Sequence, residues 1–241
     1  MHYRRIGNVE VGAIGLGAMP LSIEGRPDRD RALATIHAAL DAGVTLIDTA
    51  DSYHWHAGEV GHNEVLIAEA LANHSGSDAV LVATKGGRGR PGDGSWTVTG
   101  TPAHLKNACE GSLKRLGVDA IGLYQLHKPD ENVPWAESVG AIKELADEGK
   151  IRLAGLSNVS SAHIMEAREI LGGTLVSVQN EHAPAQLSHE PELALCTELG
   201  LAYLPWGRFA GSAGSSSPWP KSSGSARTGC AWPGCSRSRR R

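Results

Sequence analysis

Four side chains of complementary chemistry, Asp48, Tyr53, Lys85 and His127, could together protonate a carbonyl oxygen. A phenol has a pKa near 10 in water, and a neighbouring ammonium favours the phenolate and lowers that pKa. A carboxylate beside the lysine keeps an enclosed ammonium charged, and a neutral imidazole can donate a hydrogen bond to a carbonyl. This set suits an oxygen that gains negative charge, as in carbonyl reduction with a hydride from a cofactor.

Three of these side chains, and three others, follow short apolar runs that predict buried strands. The residues at the strand ends are, in order, Asp48, Lys85, His127, Asn158, Gln179 and Trp206. In α/β barrels the chemistry lies at the carboxyl ends of the strands, so we expect all six to face one site. The amides of Asn158 and Gln179 could bind a carboxamide, and Trp206 offers a flat face for ring stacking.

Helical patterns alternate with the predicted strands. They cover residues 28–42, 63–71, 101–116, 134–148, 161–171 and 191–199. Such alternation predicts a parallel sheet covered on both faces, either an open doubly wound sheet or a (β/α)8 barrel. No G-x-G-x-x-G motif follows a strand and begins a helix, which removes the main signal for a dinucleotide-binding doubly wound sheet and favours the barrel.

Three glycine-containing segments have other predicted roles. Residues 3–11 alternate polar and apolar residues around Gly7-Asn8, which predicts a β-hairpin. Residues 13–17 form a glycine-rich strand that allows close approach to its backbone. Residues 86–100 are rich in glycine and are predicted to be a mobile loop.

At these motifs the chain resembles the aldo-keto reductase family, which are barrel enzymes that use NADPH. The resemblance rests on Asp48-Thr-Ala-Asp-Ser-Tyr53, Ala83-Thr-Lys85, Gln125-Leu-His127 and Gly155-Leu-Ser-Asn158. It implies that Tyr53 is the general acid, that Lys85 and Asp48 tune it, and that His127 orients the carbonyl. The cofactor-binding residues that we expect are Gly17, Asp48, Ser157, Asn158, Gln179 and Trp206. The resemblance also implies that residues 3–17 supply the hairpin at the barrel floor and the first strand.

The resemblance ends near residue 206. We therefore predict a barrel domain over residues 1–206 and a disordered tail rich in Gly, Ser and Arg over residues 207–241. No Leu, Ile, Val or Met follows Leu204, so the tail cannot bury enough apolar area to offset its ordering entropy. We expect an incomplete barrel without the eighth strand, the closing helices and the loop for the 2′-phosphate, as after a change of reading frame.

Composition excludes several classes of protein. The chain has 241 residues, a net charge of −3 and four cysteines without a spacing pattern. We expect reduced thiols, no signal peptide, no membrane span and a cytoplasmic enzyme acting on a small carbonyl compound. Seven of the 23 Lys and Arg follow Trp206, where acidic residues do not occur. A nucleic-acid-binding tail is one interpretation, but a solvated linker is the expected one. No oligomeric state is predicted.

Other interpretations remain open at this stage. The chain could be a catalytically impaired barrel without effective cofactor binding, or a lyase that uses Lys85 as a Schiff-base nucleophile. A metal could bind His54, His56 and His62, although histidines beside a polar loop are more often surface groups or substrate contacts. Cys230 and Cys235 give only a weak metal pattern, and we expect no metal site.

Overall fold

The computed structural model describes residues 1–183 and 187–207, so the disorder predicted for the tail lies outside the described residues. The strands are β1 Tyr3–Ile6, β2 Val9–Gly12, β3 Leu16–Gly17, β4 Leu46–Asp48, β5 Leu81–Gly86, β6 Arg88–Gly89, β7 Thr97–Val98, β8 Ile121–Leu126, β9 Ile151–Ser157, β10 Leu175–Gln179 and β11 Ala202–Tyr203. The α-helices are α1 Arg29–Asp41, α2 His62–Ala72, α3 Pro102–Leu116, α4 Trp135–Asp147, α5 Ser161–Leu171 and α6 Glu190–Leu199. Short 3-10 turns span Met19–Leu21, Ser77–Ala79 and Gly172–Thr174.

Seven parallel strands form one curled sheet in the order β11-β10-β9-β8-β5-β4-β3. A crossover that contains an α-helix joins each strand of this sheet to the next along the chain. This is the sheet of a (β/α)8 barrel, and the predicted fold class is confirmed. Within the described residues the sheet has two edges, at β3 and β11, and an eighth strand is not among them.

The barrel interior contains an apolar cluster. The β1–β2 hairpin covers this cluster at the amino-terminal ends of the strands. Ile6 and Val11 of the hairpin are buried and join Leu46, Leu81, Ala83, Leu123 and Val176 from the strands. Gly7 has a φ of +58°, and a Cβ there would lie 2.8 Å from Val176 Cγ1. The turn of this hairpin therefore needs glycine for both its conformation and its packing.

Helices cover the outer face of the sheet in two further apolar clusters. One includes α1, α2 and β4 around Ile36 and Ile67, and the larger one includes α3 to α6. Asp28 accepts from the Arg31 N–H at 2.9 Å and is the N-cap of α1. Thr101 caps α3 in the same way, with Pro102 at its first turn.

The structure differs from the sequence predictions at residues 86–100. This segment was predicted to be a mobile loop, yet β6 and β7 pair antiparallel in it, with Arg88 opposite Val98 and Gly89 opposite Thr97. Two residues on each side are too few to leave a strand pattern in the sequence. In the part of the chain that the structure describes, no helix has the length and apolar character that crossing a membrane requires.

Candidate active site

The ammonium of Lys85 is the centre of the site. Its side chain is 1% exposed, and its Nζ donates to Asp48 Oδ2 at 2.7 Å, Tyr53 Oη at 2.9 Å and the Thr49 carbonyl at 2.9 Å. An ammonium has three protons to donate, so all of them are used. The structure therefore brings three of the four predicted side chains together around one cation.

Strand register explains why these side chains meet. Asp48 at the end of β4 pairs with Ala83 in β5. Alternate residues of a strand share a face, so Lys85 lies on the same side of β5 as Ala83, which belongs to the interior cluster. His127 directly follows β8, and its N–H donates to the Gly86 carbonyl at 2.9 Å. All three strands therefore present their carboxyl ends at one face of the barrel.

His127 and Trp96 place aromatic edges against Tyr53. The ring centroids of Tyr53 and His127 lie 5.7 Å apart at an interplanar angle of 83°. The Trp96 ring contacts both, with centroids 6.4 Å from Tyr53 and 6.5 Å from His127. Ser52 Oγ lies 3.4 Å from His127 Nδ1. The four predicted side chains thus form one cluster, which we call the tetrad, and Trp96 from the β6–β7 hairpin borders it.

The pKa of Tyr53 is raised above its usual value of 10.0. Burial is the largest cause, the Lys85 ammonium lowers the pKa, and the Asp48 carboxylate raises it again. We expected a net lowering from the sequence, and this expectation is wrong because burial and Asp48 outweigh the ammonium. Tyr53 is therefore a protonated phenol throughout the neutral pH range.

Lys85 is charged at neutral pH, whereas His127 is neutral. Burial alone would lower the pKa of Lys85, but the negative charge of Asp48 and the hydrogen bonds to Asp48 and Tyr53 outweigh burial and raise it above its usual value. Burial, followed by the charges of Lys85 and Arg88, holds the pKa of His127 well below its usual range. The site therefore contains a charged ammonium, a neutral imidazole and a neutral phenol.

Amide side chains donate to Oδ1 of the Asp48 carboxylate, the oxygen that Lys85 does not contact. Gln179 Nε2 donates to Asp48 Oδ1 at 2.9 Å, and Gln125 Nε2 approaches the same oxygen at 3.4 Å. Gln125 lies two residues before His127, and no sequence pattern predicts its role. Its Oε1 is buried and has no hydrogen-bond partner within the described residues.

Ser157 and Asn158 lie at the end of β9, beside this carboxylate. Ser157 Oγ donates to the Gln179 carbonyl at 2.9 Å, and Asn158 Nδ2 donates to the His127 carbonyl at 2.9 Å. Asn158 has a φ of +58°, which is uncommon for a residue other than glycine. This backbone turn at the end of β9 allows the Asn158 side chain to reach the His127 carbonyl.

The two remaining predicted residues, Gly17 and Trp206, lie at the ends of the edge strands. Gly17 pairs with Asp48 in the β3–β4 ladder, and a Cβ at Gly17 would meet nothing within 4 Å. Trp206 bonds through its backbone N–H to the Asn180 carbonyl at 3.1 Å, and its side chain is 42% exposed. Open space beside Gly17 and an exposed indole leave room for a ligand along this side of the site.

Sequence reasoning missed two arginines of the β6–β7 hairpin. Arg88 Cζ lies 4.6 Å and Arg90 Cζ 4.3 Å from the Trp96 ring centroid. Arg90 is 6% exposed and forms an ion pair with Glu24. Residues 86–100 were interpreted as a mobile loop because of their glycines, so these arginines were not considered for the site. Two arginines within three residues are the sequence feature that could have indicated them.

A buried acidic network that contains Asp51 and Glu64 was also missed. Glu64, in the first turn of α2, is 0% exposed. It accepts from Thr84 Oγ1 at 2.5 Å and Arg115 Nε at 2.6 Å. Asp51 is 4% exposed, and its Oδ1 has no partner in residues 1–183 and 187–207. Burial, followed by repulsion from Glu64, raises the pKa of Asp51 to about 8.

Asp51→Asn should stabilise the protein and flatten its pH dependence. Between the usual pKa of 3.8 and about 8, the folded protein holds a proton on Asp51 that the unfolded chain releases. Stability therefore falls as pH rises through this window. The amide resembles the protonated carboxyl, so we expect the free energy of unfolding at pH 7 to rise by roughly 4 kcal/mol, measured by urea unfolding.

Asp119→Asn is the matched control, because Asp119 lies in an exposed turn. This variant should change the free energy of unfolding by less than about 0.5 kcal/mol. Equal stability of the Asp51→Asn variant and the parent chain from pH 5 to pH 8 would show that Asp51 is not held as a neutral carboxyl.

The histidines considered for a metal do not form a metal site in the part of the chain that the structure describes. Over the described part of the chain, no group of three or more His, Cys, Asp or Glu side chains could hold a metal ion. His54 is buried and bonds through Nδ1 to the His56 carbonyl at 2.8 Å. Trp55 stacks on His56 and lies 5.9 Å from Arg26.

The fold and site define an α/β-barrel protein with an Asp-Tyr-Lys-His cluster at the carboxyl ends of its strands. The aldo/keto reductase family model matches residues 13–222. The chain belongs to the aldo/keto reductase family.

Individual relatives agree with this assignment. An uncharacterized oxidoreductase of Schizosaccharomyces pombe is 35% identical over 213 residues, which are 87% of this chain and 66% of the yeast protein. A glycerol dehydrogenase from Gluconobacter oxydans superposes with a TM-score of 0.74 at 32% identity, covering 84% of this chain and 62% of that structure. An aldo-keto reductase from Bacillus halodurans superposes with a TM-score of 0.71 at 30% identity, covering 84% of this chain and 65% of that structure. The chain thus spans about two-thirds or less of the length of these relatives.

Proposed function

We propose that the chain reduces aldehydes or ketones to alcohols with NADPH, and that Tyr53 is the general acid. The observation that supports this most directly is the buried Lys85 ammonium, which bonds to Tyr53 Oη at 2.9 Å and to Asp48 Oδ2 at 2.7 Å. A phenol in this position can lose its proton to a carbonyl oxygen, because the adjacent ammonium stabilises the phenolate that remains.

The residues beside the tetrad fit a nicotinamide cofactor. Asn158 and Gln179 use their amide nitrogens within the protein, which leaves their amide oxygens to accept from a carboxamide. A Cβ at Gly17 would meet nothing within 4 Å, so a ring or ribose can approach that backbone. Trp206 is exposed at the same face and is available for stacking. NADPH, when bound, supplies the hydride.

The chain's own groups hold the carbonyl and move one proton. His127 is neutral, so one ring nitrogen can donate to the carbonyl oxygen and keep it near Tyr53. The proton moves from Tyr53 Oη to the oxygen of the developing alkoxide, and the O–H bond of the alcohol forms as that of the phenol breaks. Lys85 remains charged throughout, because Asp48 raises its pKa. Solvent then returns a proton to Tyr53.

The lyase interpretation requires a neutral amine on Lys85 as nucleophile. All three protons of this ammonium are donated within the protein, which favours proton transfer over Schiff-base formation. The impaired-barrel interpretation has one observation in its favour, since strands β3 and β11 each pair on one side only within the described residues. Cofactor binding therefore separates it from the proposed reductase.

Two measurements test the proposal. Titration of the purified protein with NADPH, followed by fluorescence, should give a saturable signal, and addition of an aromatic aldehyde should oxidise the cofactor with formation of one alcohol for each NADPH. A folded protein that binds no NADPH would favour the impaired barrel. Trapping of substrate on Lys85 by borohydride, without NADPH oxidation, would favour the lyase.

The rate of carbonyl reduction should be level from about pH 6.5 to about pH 10. The pKa of His127 lies well below its usual 6.5, so activity should decline only at lower pH, when the imidazole takes up a proton. The pKa of Tyr53 lies above 10.0, so the proton donor persists on the alkaline side. The measurement is kcat/KM against pH. In the His127→Gln variant, whose side chain cannot titrate, the decline at low pH should vanish. A midpoint of this decline above pH 6.5 in the parent protein would contradict the neutral charge state of His127.

A further inference from the structure

Arg88 is a cation without a counter-ion at the edge of the site. Within residues 1–183 and 187–207, no carboxylate lies within ion-pairing distance of its guanidinium, and its Nε is buried without a hydrogen-bond partner. Its described contact is the Trp96 ring, whose centroid is 4.6 Å from Arg88 Cζ. Arg90, two residues later, contacts the same ring but is already paired with Glu24.

The position of Arg88 connects it to the reacting groups. Its charge acts on Tyr53 and on His127, and in both cases it lowers the pKa. Trp96, which Arg88 covers, makes edge contacts with both of those rings. A compound whose carbonyl lies between Tyr53 and His127 would therefore extend toward the guanidinium along the Trp96 ring.

The charge balance around Arg88 favours an anion. The positive groups nearby are Lys85, whose protons are all donated to Asp48, Tyr53 and a backbone carbonyl, and Arg90. The acidic groups of the hairpin region have partners elsewhere: Glu24 pairs with Arg90, and Asp93 accepts from Ser95. Arg88 is half-buried, and even partial burial without a counter-ion is unfavourable for a cation. A planar guanidinium binds carboxylate and phosphate groups through paired hydrogen bonds.

We propose that the substrate is a compact carbonyl compound that carries an anionic group, a carboxylate or a phosphate, and that Arg88 binds this group. The inference rests on the proposed reductase function and adds its substrate class. Cation–π contact with Trp96 contributes part of the stabilisation of Arg88, but it leaves the guanidinium protons free to bind an anion. The substrate anion supplies the missing counter-ion, and Trp96 supports the carbon skeleton between the two polar ends.

The test compares two aldehydes of almost identical shape, para-carboxybenzaldehyde and its neutral amide, para-formylbenzamide. We expect kcat/KM of the parent protein to favour the carboxylate by about tenfold or more, mainly through KM. Arg88→Met should abolish that preference, and Arg88→Lys should retain part of it, because the charge remains while the planar fork is lost. Arg152→Met is the matched control, since it removes one exposed positive charge at the opposite end of the barrel and should keep the preference.

Binding without cofactor distinguishes this inference from the proposed function and from a cofactor site. Calorimetric titration with para-hydroxymethylbenzoate and para-hydroxymethylbenzamide should show the same preference in the parent protein and its loss in Arg88→Met. Failure of both aldehydes to oxidise NADPH would overturn the reductase function, while these titrations still test the anion site. Equal affinities for the acid and the amide in the parent protein, or an Arg88→Met variant that loses NADPH affinity and keeps the preference, would overturn the inference.

Discussion

Tyr53→Phe is expected to lower kcat for carbonyl reduction by about 100- to 10,000-fold, which is the usual contribution of a positioned general acid. The substitution removes one oxygen and leaves the ring, its edge contact with His127 and its burial at 6% exposure. The alkoxide then has no proton donor beside it. The dissociation constant for NADPH should change by less than about threefold, because the phenol is not among the residues assigned to the cofactor.

Kinetics and cofactor titration on the same preparations provide the check. Tyr203→Phe is the matched control, because it removes a phenolic oxygen from β11, away from the tetrad, and should leave kcat within about twofold. If Tyr53→Phe reduced aldehydes as fast as the parent protein, Tyr53 would have no role as acid. A loss of NADPH binding in parallel would indicate that the variant had lost its fold at the site.

Asp48→Asn is expected to lower the free energy of unfolding by about 3 to 5 kcal/mol at neutral pH, the usual cost of leaving a buried charge without its partner. Lys85 is 1% exposed, and the amide cannot replace the charge that Asp48 places 2.7 Å from its Nζ. Burial would then lower the pKa of Lys85, so the folded variant would release a proton that the unfolded chain retains up to about pH 10.5. The loss of stability should therefore shrink as pH rises from 7 toward 10, which urea unfolding at several pH values can measure.

The double variant Asp48→Asn/Lys85→Met gives the internal control. Methionine fills most of the volume of the lysine stem without a charge, so much of the lost stability should return. The double variant should still be inactive in carbonyl reduction, which separates stability from catalysis. An Asp48→Asn variant with the same urea unfolding curve as the parent protein would show that the carboxylate is not the counter-ion of Lys85.

Much of the scaffold follows from local patterns. The alternation around Gly7-Asn8 predicts the β1–β2 hairpin, and the structure pairs Tyr3–Ile6 with Val9–Gly12. Apolar runs between amphipathic helices predict the parallel sheet, because strands covered on both faces must be apolar throughout. The polar residues that end these runs predict which residues meet, since parallel strands bring their carboxyl ends to one edge. Asp48, Lys85 and His127 lie together for this reason.

Features that depend on contacts between distant residues were not predictable. The β6–β7 pairing joins two-residue segments across a glycine-rich loop, and the ion pair of Glu64 with Arg115 joins residues from two different helices. Neither leaves a periodic signal in the sequence. Trp55 and Trp96 looked equivalent as loop aromatics, yet Trp96 alone contacts Tyr53 and His127, because the hairpin carries it over the site.

The amino-acid sequence by itself determined the order of strands and helices and the chemical types of the groups at the strand ends, because both follow from local periodicity and residue identity. The tertiary structure alone decided how these groups are charged. Burial holds Tyr53 as a phenol although Lys85 is adjacent, keeps His127 neutral and leaves Arg88 without a carboxylate among the described residues. Each of these outcomes depends on how much water and which charges surround a side chain, and only the packed fold sets both.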